Sequence, residues 1–274
     1  MSLIYAYLTG AKAMATPTAA LPDERQNLIL KRLARHGRVL AVELARDFGT
    51  SEDTIRRDLR ELASAGHCRR VYGGALPLAP SSGTLAERVT ETQGRKTALA
   101  GTCAKLVAAR LRPGGVLFLD AGSTNIAIAR ALPADLQATV VTNAPDIAAL
   151  LMRHSRIELL MIGGRVDRRI GAAVGARAIR DAHEIGADLA ILGTCAVSAL
   201  RGISEFDAEE AEFKKAMAAG AATVIAAVLM DRLGTRAPFA VIPSTEIAIL
   251  VTEPEASPSE IAALAAMGVE IVQG

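Results

Sequence analysis

The apolar positions of this chain follow two successive patterns. Between residues 23 and 66 they recur at helical spacing in short bursts, each closed by a glycine. From about residue 84 onward, apolar β-rich runs alternate with amphipathic stretches.

In the first pattern, Leu28, Ile29, Leu33 and Ala34 share one face of a predicted helix. Asp23 and Gln26 open it as a variant of the capping box, Pro22 precedes it, and Gly37 after His36 suits its end. Val39-Leu40 reads as a short extended link. A second helix covers Val42 to Phe48 and stops at Gly49. Ser51 caps a third, which runs to Gly66 and whose Ile55, Leu59 and Leu62 form a single apolar stripe. Next, His67 to Ala75 places two arginines and a glycine pair in short extended pieces, the composition of a β-wing.

The second pattern predicts strands at Val116–Asp120, Thr139–Thr142, Ile157–Ile162, Leu189–Leu192, Thr223–Met230 and Ile247–Val251. It predicts helices at Lys96–Leu111, Thr124–Leu132, Pro145–Met152, Ala176–Ile185, Ala208–Gly220 and Pro258–Met267. Such alternation describes an α/β domain with a mainly parallel sheet covered on both faces. A Gly/Pro/Ser-rich stretch, Gly73 to Gly83, separates the two patterns. The expected organisation is a disordered extension (1–22), a helix-turn-helix module (23–76), a linker (77–85) and an α/β domain (86–274).

Charge sharpens this division. The net charge of +2 and the 3% aromatic content, taken alone, argue against a nucleic-acid binder. The charge is uneven, however. Residues 1–80 carry 12 Lys/Arg against 8 Asp/Glu, a net of +4, and the remainder carries 19 against 21, a net of −2. A small basic module is thus joined to a slightly acidic one. Scarce aromatics still disfavour stacking on single strands, which leaves groove recognition of duplex DNA.

Within the third helix, Thr54, Arg56 and Arg57 occupy the leading part that enters a major groove in helix-turn-helix proteins. Arg can pair bidentately with guanine, and Ser or Thr can bond a base edge or phosphate. Candidate DNA contacts are therefore Ser51, Thr54, Arg56, Arg57 and Arg60 on the helix, and Arg69, Arg70, Tyr72, Gly73 and Gly74 on the wing. The competing interpretation is a solvated charged face, with Asp58 and Glu61 pairing some of these arginines.

In the α/β domain the polar residues gather at strand ends, where open parallel sheets bind ligands. Asp120-Ala121-Gly122-Ser123-Thr124 ends a strand and opens a helix, a phosphate-holding arrangement in which Asp120 suits a sugar hydroxyl. Thr142-Asn143 and Gly163-Gly164-Arg165 end the next two strands. Each loop alone reads equally well as a plain cap and turn; together they suggest a small anionic-ligand pocket.

The run from Glu24 to Ala75, with S-x-x-TIRRDL at Ser51 to Leu59 and R-x-x-GGA at Arg70 to Ala75, resembles the winged helix-turn-helix of DeoR-type bacterial transcriptional regulators. The resemblance continues through Glu87-Arg88, Lys96, Asp120 to Thr124, Thr142-Asn143, Gly163-Gly164, Gly202 and Lys214 to Met217, covering roughly residues 24–252. It implies an effector domain similar to ribose-5-phosphate isomerase, a phosphorylated-sugar effector whose phosphate faces Lys96, Ser123 and Thr124, and a homodimer or homotetramer on double-stranded operator DNA. It also implies a repressor that acts in the cytoplasm. One element departs from the family: its usual Asp-x-Ser-Lys stands here as Asp231-Arg232-Leu233-Gly234. The missing lysine is compatible with compensation by Arg232, Arg236 or Arg165, or with a less charged ligand.

An enzyme, a sugar-phosphate isomerase or transferase, is the alternative. Glu205, Asp207 or Glu209 could be its base, although Ser204 to Glu210 reads better as an acidic helix start. No nucleophile elbow or phosphate-binding Walker loop is present. Cys68, Cys103 and Cys195 and four scattered histidines form no metal pattern and suit a reducing compartment, and no cofactor is expected. The longest charge-free run, Ala216 to Met230, is too short to span a bilayer. The first residues resemble a signal peptide without its basic start, which favours a tail or a true start at Met14.

Overall fold

The computed structural model describes residues 21–36, 38–65, 67–77 and 84–274. The expected extension over 1–20, the Gly37 and Gly66 stops and most of the linker lie outside the described residues. The chain divides into two compact units, with the break after Pro77.

The first unit contains α1 (Pro22–His36), β1 (Val39–Leu40), α2 (Ala41–Phe48), α3 (Glu52–Ser64), β2 (Cys68–Val71) and β3 (Gly74–Pro77). Gly49 closes α2 in the left-handed conformation (φ 60°). The hydroxyl of Ser51 accepts the Thr54 N–H at 3.1 Å, the expected N-cap. Ile55, Leu59 and Leu62 are buried against Ile29, Leu33 and Leu44, so the apolar stripe forms the core of the module. Val39-Leu40, expected as a link, is a strand that completes a three-stranded sheet in the order β1-β3-β2. Gly74 makes this possible, because a Cβ there would collide with the Val39 carbonyl.

Two expectations for this module fail. Pro22 is already helical, and the Glu24 carboxylate, not Asp23, receives the Leu21 N–H. Gln26 instead donates to Glu61 at 2.8 Å, so a tertiary partner displaces the local cap. Asp58 does not pair with the surface arginines. It lies buried and holds Arg25 of α1 bidentately at 2.5 and 3.0 Å, joining α1 to α3.

The second unit begins with α4 (Leu85–Thr90) and α5 (Gln93–Arg110), followed by β4 (Gly115–Leu119), α6 (Ser123–Ala131), β5 (Ala138–Thr142), α7 (Pro145–Leu151) and β6 (Ile157–Met161). A hairpin, β7 (Arg165–Asp167) and β8 (Ala172–Val174), leads into α8 (Ala176–His183) and β9 (Ala187–Gly193). Next come β10 (Ala196–Ser198), β11 (Gly202–Glu205), α9 (Ala208–Ala219), β12 (Ala221–Ala227), β13 (Phe239–Ile242), β14 (Ile249–Thr252), α10 (Pro258–Ala265) and β15 (Glu270–Gln273). Seven strands form one parallel sheet in the order β15-β14-β12-β9-β4-β5-β6.

Burial alternates along the central strands. Leu117 and Leu119 point to the face covered by α5, α6 and α7, while Phe118 points to the face covered by α8, α9 and α10. Phe118 meets Phe213 of α9 edge to face at 6.1 Å, which fixes α9 against the sheet. The six predicted strands and six predicted helices all form, with ends moved by a few residues. The largest changes are at Thr223–Met230, which stops as a strand at Ala227, and at Ser204-Glu205, which belong to a strand rather than to the start of α9. The pattern missed α4, the edge strand β15 of the main sheet, and the short antiparallel elements, namely the β7–β8 hairpin and the small sheet β10-β11-β13.

Candidate functional site

In the first unit, burial of the apolar stripe of α3 leaves Arg56, Arg57 and Arg60 exposed on the other side, with Thr54 half-buried. Arg56 is paired with Glu52 at 2.6 Å, and Arg57 with Glu61 at 3.1 Å. Exposed i,i+4 pairs of this kind are worth about 0.3–0.5 kcal/mol, so a phosphate or base can displace them at little cost. Arg70 and Tyr72 are exposed on the β2–β3 hairpin, whose turn contains Gly73 at φ 79°. Arg69 lies within β2. The candidate DNA contacts thus occupy the helix and hairpin of one small module.

In the second unit, β4 is followed along the chain by β5 and β6 on one side of the sheet, while β9, β12, β14 and β15 lie on its other side. The strand order therefore reverses between β4 and β9, and ligand clefts form at such switch points, beyond the carboxyl ends of the strands. A cavity of about 400 Å³ lies there. Its walls include Gly122, Ser123 and Thr124 after β4, Thr194 and Cys195 after β9, and Asp231 and Arg232 after β12. Arg88, Glu91, Thr92 and Lys96 contribute from α4 and α5, and Glu210 and Lys214 from α9.

Two glycines shape the entrance to α6. Gly122 (φ 139°) occupies the N-cap position without a side-chain cap bond, leaving the first N–H groups of α6 available beside the Ser123 and Thr124 hydroxyls. Gly193 lies so close to the end of β4 that a Cβ would come within 2.6 Å of the Ala121 carbonyl. Its N–H donates to Asp120 Oδ1 at 2.7 Å. Thr92 supplies a third backbone feature, a left-handed φ of 50° on a β-branched residue at the cavity wall.

Lys96, expected as the first residue of its helix, stands in the first turn of α5, which begins three residues earlier at Gln93. Its ammonium donates to the carbonyls of Arg88 and Glu91, the latter at 2.7 Å. Burial lowers its pKa. Arg88 donates to the Arg169 carbonyl at 2.8 Å, and its Nε is buried without a hydrogen-bond partner. Arg95 holds both Glu253 and Asp231, while Glu253 also accepts the Met230 N–H at 2.7 Å; together they anchor the turn carrying Arg232.

Lys214 and Glu210, on the cavity wall, belong to a buried ionic cluster that the sequence did not reveal. Lys214 Nζ lies 2.5 Å from Glu205, 2.9 Å from Glu210 and 3.5 Å from Asp120. Burial pushes the Asp120 carboxyl up to about 7 against the pull of Lys214, and it raises Glu205 as well. Burial opposes the charge of Lys214 too, but the three surrounding carboxylates outweigh it and hold the ammonium above its usual range. Burial and the adjacent Glu205 raise the Cys195 thiol. A lysine among Ala211, Phe213 and Met217 on the buried side of a helix was the available signal for this cluster.

Of the candidate effector residues, the structure brings together Lys96, Gly122, Ser123 and Thr124, with Asp120 directly beneath. Thr142, Asn143, Gly163, Gly164 and Arg165 lie apart from this cavity. Thr142 Oγ1 accepts the Ala144 N–H, Asn143 exchanges bonds with Ala173 of β8, and Arg165 pairs with Glu209. Among the described residues, no group of three or more His, Cys, Asp and Glu is placed to hold a metal ion. Likewise, no described helix is long and apolar enough to cross a membrane.

Comparison with known proteins gives two family matches: a DeoR-like helix-turn-helix domain over residues 25–79 and a DeoR C-terminal sensor domain over residues 94–254. The chain is 30% identical to the HTH-type transcriptional regulator GlpR of Haloferax volcanii over 93% of this chain and 98% of that protein. It is 30% identical to the glycerol-3-phosphate regulon repressor of Escherichia coli over 78% of this chain and 84% of that one. Among solved structures it is similar to ribose 5-phosphate isomerase A from Methanocaldococcus jannaschii at 17% identity and a TM-score of 0.35, covering 51% of this chain and 52% of that one.

Proposed function

The chain belongs to the DeoR family of helix-turn-helix transcriptional regulators, and from that premise we propose an effector-released repressor of a carbohydrate or related catabolic operon. It acts in the cytoplasm on duplex operator DNA. The protein is a regulator and not an enzyme, as its relatives are. The α3 helix and the β2–β3 wing read the operator, with Arg56 and Arg57 at base edges or phosphates and Arg60, Arg69 and Arg70 toward the backbone. A small sugar-phosphate-like effector occupies the cavity at the β4–β9 switch, its anionic group at the start of α6 near Lys96, Ser123 and Thr124. Arg232 takes over the role of the lysine missing from the Asp231-Arg232-Leu233-Gly234 turn. A single module makes few phosphate contacts, so the protein works as a homodimer or homotetramer on paired half-sites.

The observation that carries DNA reading is α3: its apolar side is fully used in the core, and its opposite side presents arginines held only by exposed, weak pairs. The test is binding to a duplex selected from a random library by the wild-type protein. Arg57→Ala should weaken binding at least tenfold and flatten its salt dependence while leaving the melting profile unchanged. Wild-type affinity in that variant would remove α3 from the interface. For the sensor, Ser123→Ala with Thr124→Ala should blunt release from DNA by the effector and leave DNA affinity intact.

A further inference from the structure

The outward side of α3 is not uniformly basic. Helix geometry sets Asp53, Arg57, Arg60 and Ser64 along one row, at i, i+4, i+7 and i+11, and all four are exposed. This row lies opposite Ile55, Leu59 and Leu62, which are buried in the module core. Asp53 therefore stands at the middle of the outward face and in the first turn, where the leading helix of helix-turn-helix proteins meets base edges. Its side chain is 91% exposed, against 41% for Glu52 and 51% for Glu61.

The local needs of α3 are met without this carboxylate. Ser51 caps the helix, and Glu52 already supplies a negative charge to its first turn. Glu52 also holds Arg56 at 2.6 Å, whereas Asp53 reaches the same guanidinium only at 3.5 Å. In a DNA groove, a carboxylate at this place is repelled by the phosphates on either side, and it is tolerated only where a base edge offers it a donor. A carboxylate accepts hydrogen bonds and cannot donate them. Guanine presents the acceptors N7 and O6, thymine presents O4 and a methyl group, and adenine sets its N6 amine beside the acceptor N7. Cytosine presents its N4 amine alone, which makes it the base that matches a carboxylate.

We propose that Asp53 is a specificity-determining residue that accepts the N4 amine of a cytosine in the operator, while Arg56 beside it exchanges Glu52 for a neighbouring guanine. This rests on the reading of α3 as the helix that contacts DNA. The same carboxylate weakens binding to every sequence that lacks the cytosine, so it sharpens the choice of operator by penalising the alternatives.

The test uses full-length wild type, Asp53→Ala, Asp53→Asn and Arg57→Ala. Each selects duplexes from a random library, and affinities are then measured on duplexes that differ at a single position. Wild type should favour cytosine by about tenfold or more at one position of each half-site. Asp53→Ala should reduce that preference to within about threefold and keep the preferences at the other positions. It should also bind an unrelated duplex about twofold or more tightly than wild type does, because a charge facing the phosphates is gone. Asp53→Asn, close to the native shape, should move the preferred base toward adenine, whose N6 and N7 suit an amide. A role confined to the stability of α3 would lower affinity for all sequences alike with every preference intact, and that result would overturn the inference. Unchanged affinity and preferences in both Asp53 variants, with Arg57→Ala still weakening binding, would overturn it as well and leave α3 at the interface. Wild-type binding in Arg57→Ala together with unchanged preferences in the Asp53 variants would remove α3 from the interface and the inference with it.

Discussion

The Arg25–Asp58 pair gives a quantitative test of what holds the DNA-reading module together. Both side chains are nearly buried, and the guanidinium reaches both carboxylate oxygens at 2.5 and 3.0 Å across 33 residues of sequence. Asp58→Ala leaves an uncompensated guanidinium against the module core, a change that costs about 3–5 kcal/mol at buried pairs. A module of this size has a total stability of only about 3–8 kcal/mol, so the loss removes most of it. Hydrogen exchange on the full-length protein reads the module separately from the sensor domain. Amides of Ile29, Leu33, Ile55 and Leu59 should exchange two to nearly four orders of magnitude faster, at one decade per 1.36 kcal/mol, until the global limit of the module is reached. Arg57→Ala, which removes an exposed pair, should leave the same amides within about threefold of wild type. Replacing both members, Arg25→Met with Asp58→Leu, should recover most of the loss because no buried charge is then left alone. A penalty below about 1 kcal/mol for Asp58→Ala, or no recovery in the double variant, would refute the assignment of this pair as the tie between α1 and α3.

Four further outcomes follow from the sensor domain and the cap of α3. Asp120 has a folded pKa of about 7, above its usual value near 4, so the folded domain holds a proton that the unfolded chain releases. That contribution is complete below about pH 4 and is lost as pH rises toward 7; Asp120→Asn should therefore reduce the fall in stability between pH 4 and 7 seen in urea titrations of the wild type. Glu253 has the opposite sign, since Arg95 holds its carboxyl below the usual range, so its contribution is lost as pH falls below about 4.5. Gly193→Ala brings a Cβ to 2.6 Å from the Ala121 carbonyl and should lower sensor-domain stability by roughly 1–3 kcal/mol, whereas Gly163→Ala, with open space around its Cβ position, should be close to neutral in the same melts. Ser51→Ala removes the acceptor for the Thr54 N–H and should destabilise α3 by about 1 kcal/mol, read by denaturant titration of operator binding.

Much of this protein is decided locally. Helix stops at Gly49, the Ser51 cap, the Ile55–Leu59–Leu62 stripe and the alternating strands and helices of the sensor domain depend on side-chain chemistry within one or two turns, and these could be read from the chain. The Asp120–Thr124 loop was legible for the same reason: a strand end, a glycine and a helix start are neighbours in sequence. Where local chemistry had a tertiary competitor, it lost. Gln26 left the cap of α1 for Glu61, and Asp58 turned from the surface arginines to Arg25.

The site as a whole belongs to the tertiary structure. Three strand ends looked equivalent in the sequence, but the order β9-β4-β5-β6 decides which of them share a rim. The cavity opens toward β9 and β12, so the ends of β5 and β6, with Thr142, Asn143 and Gly163 to Arg165, serve the β7–β8 side instead. Strand order is set by which sheet faces the helices can cover, a property of the whole packed domain and not of any one segment. The same packing places Lys214 of α9 against Asp120, 94 positions earlier in the chain, and burial there shifts charges that would be ordinary in water. Sequence determined that this is a DNA-reading module joined to an α/β sensor. Only the folded sheet determined where the sensor's cavity lies and that Lys214, Asp120 and Glu205 are buried together beside it, because burial and proximity exist only after distant segments meet.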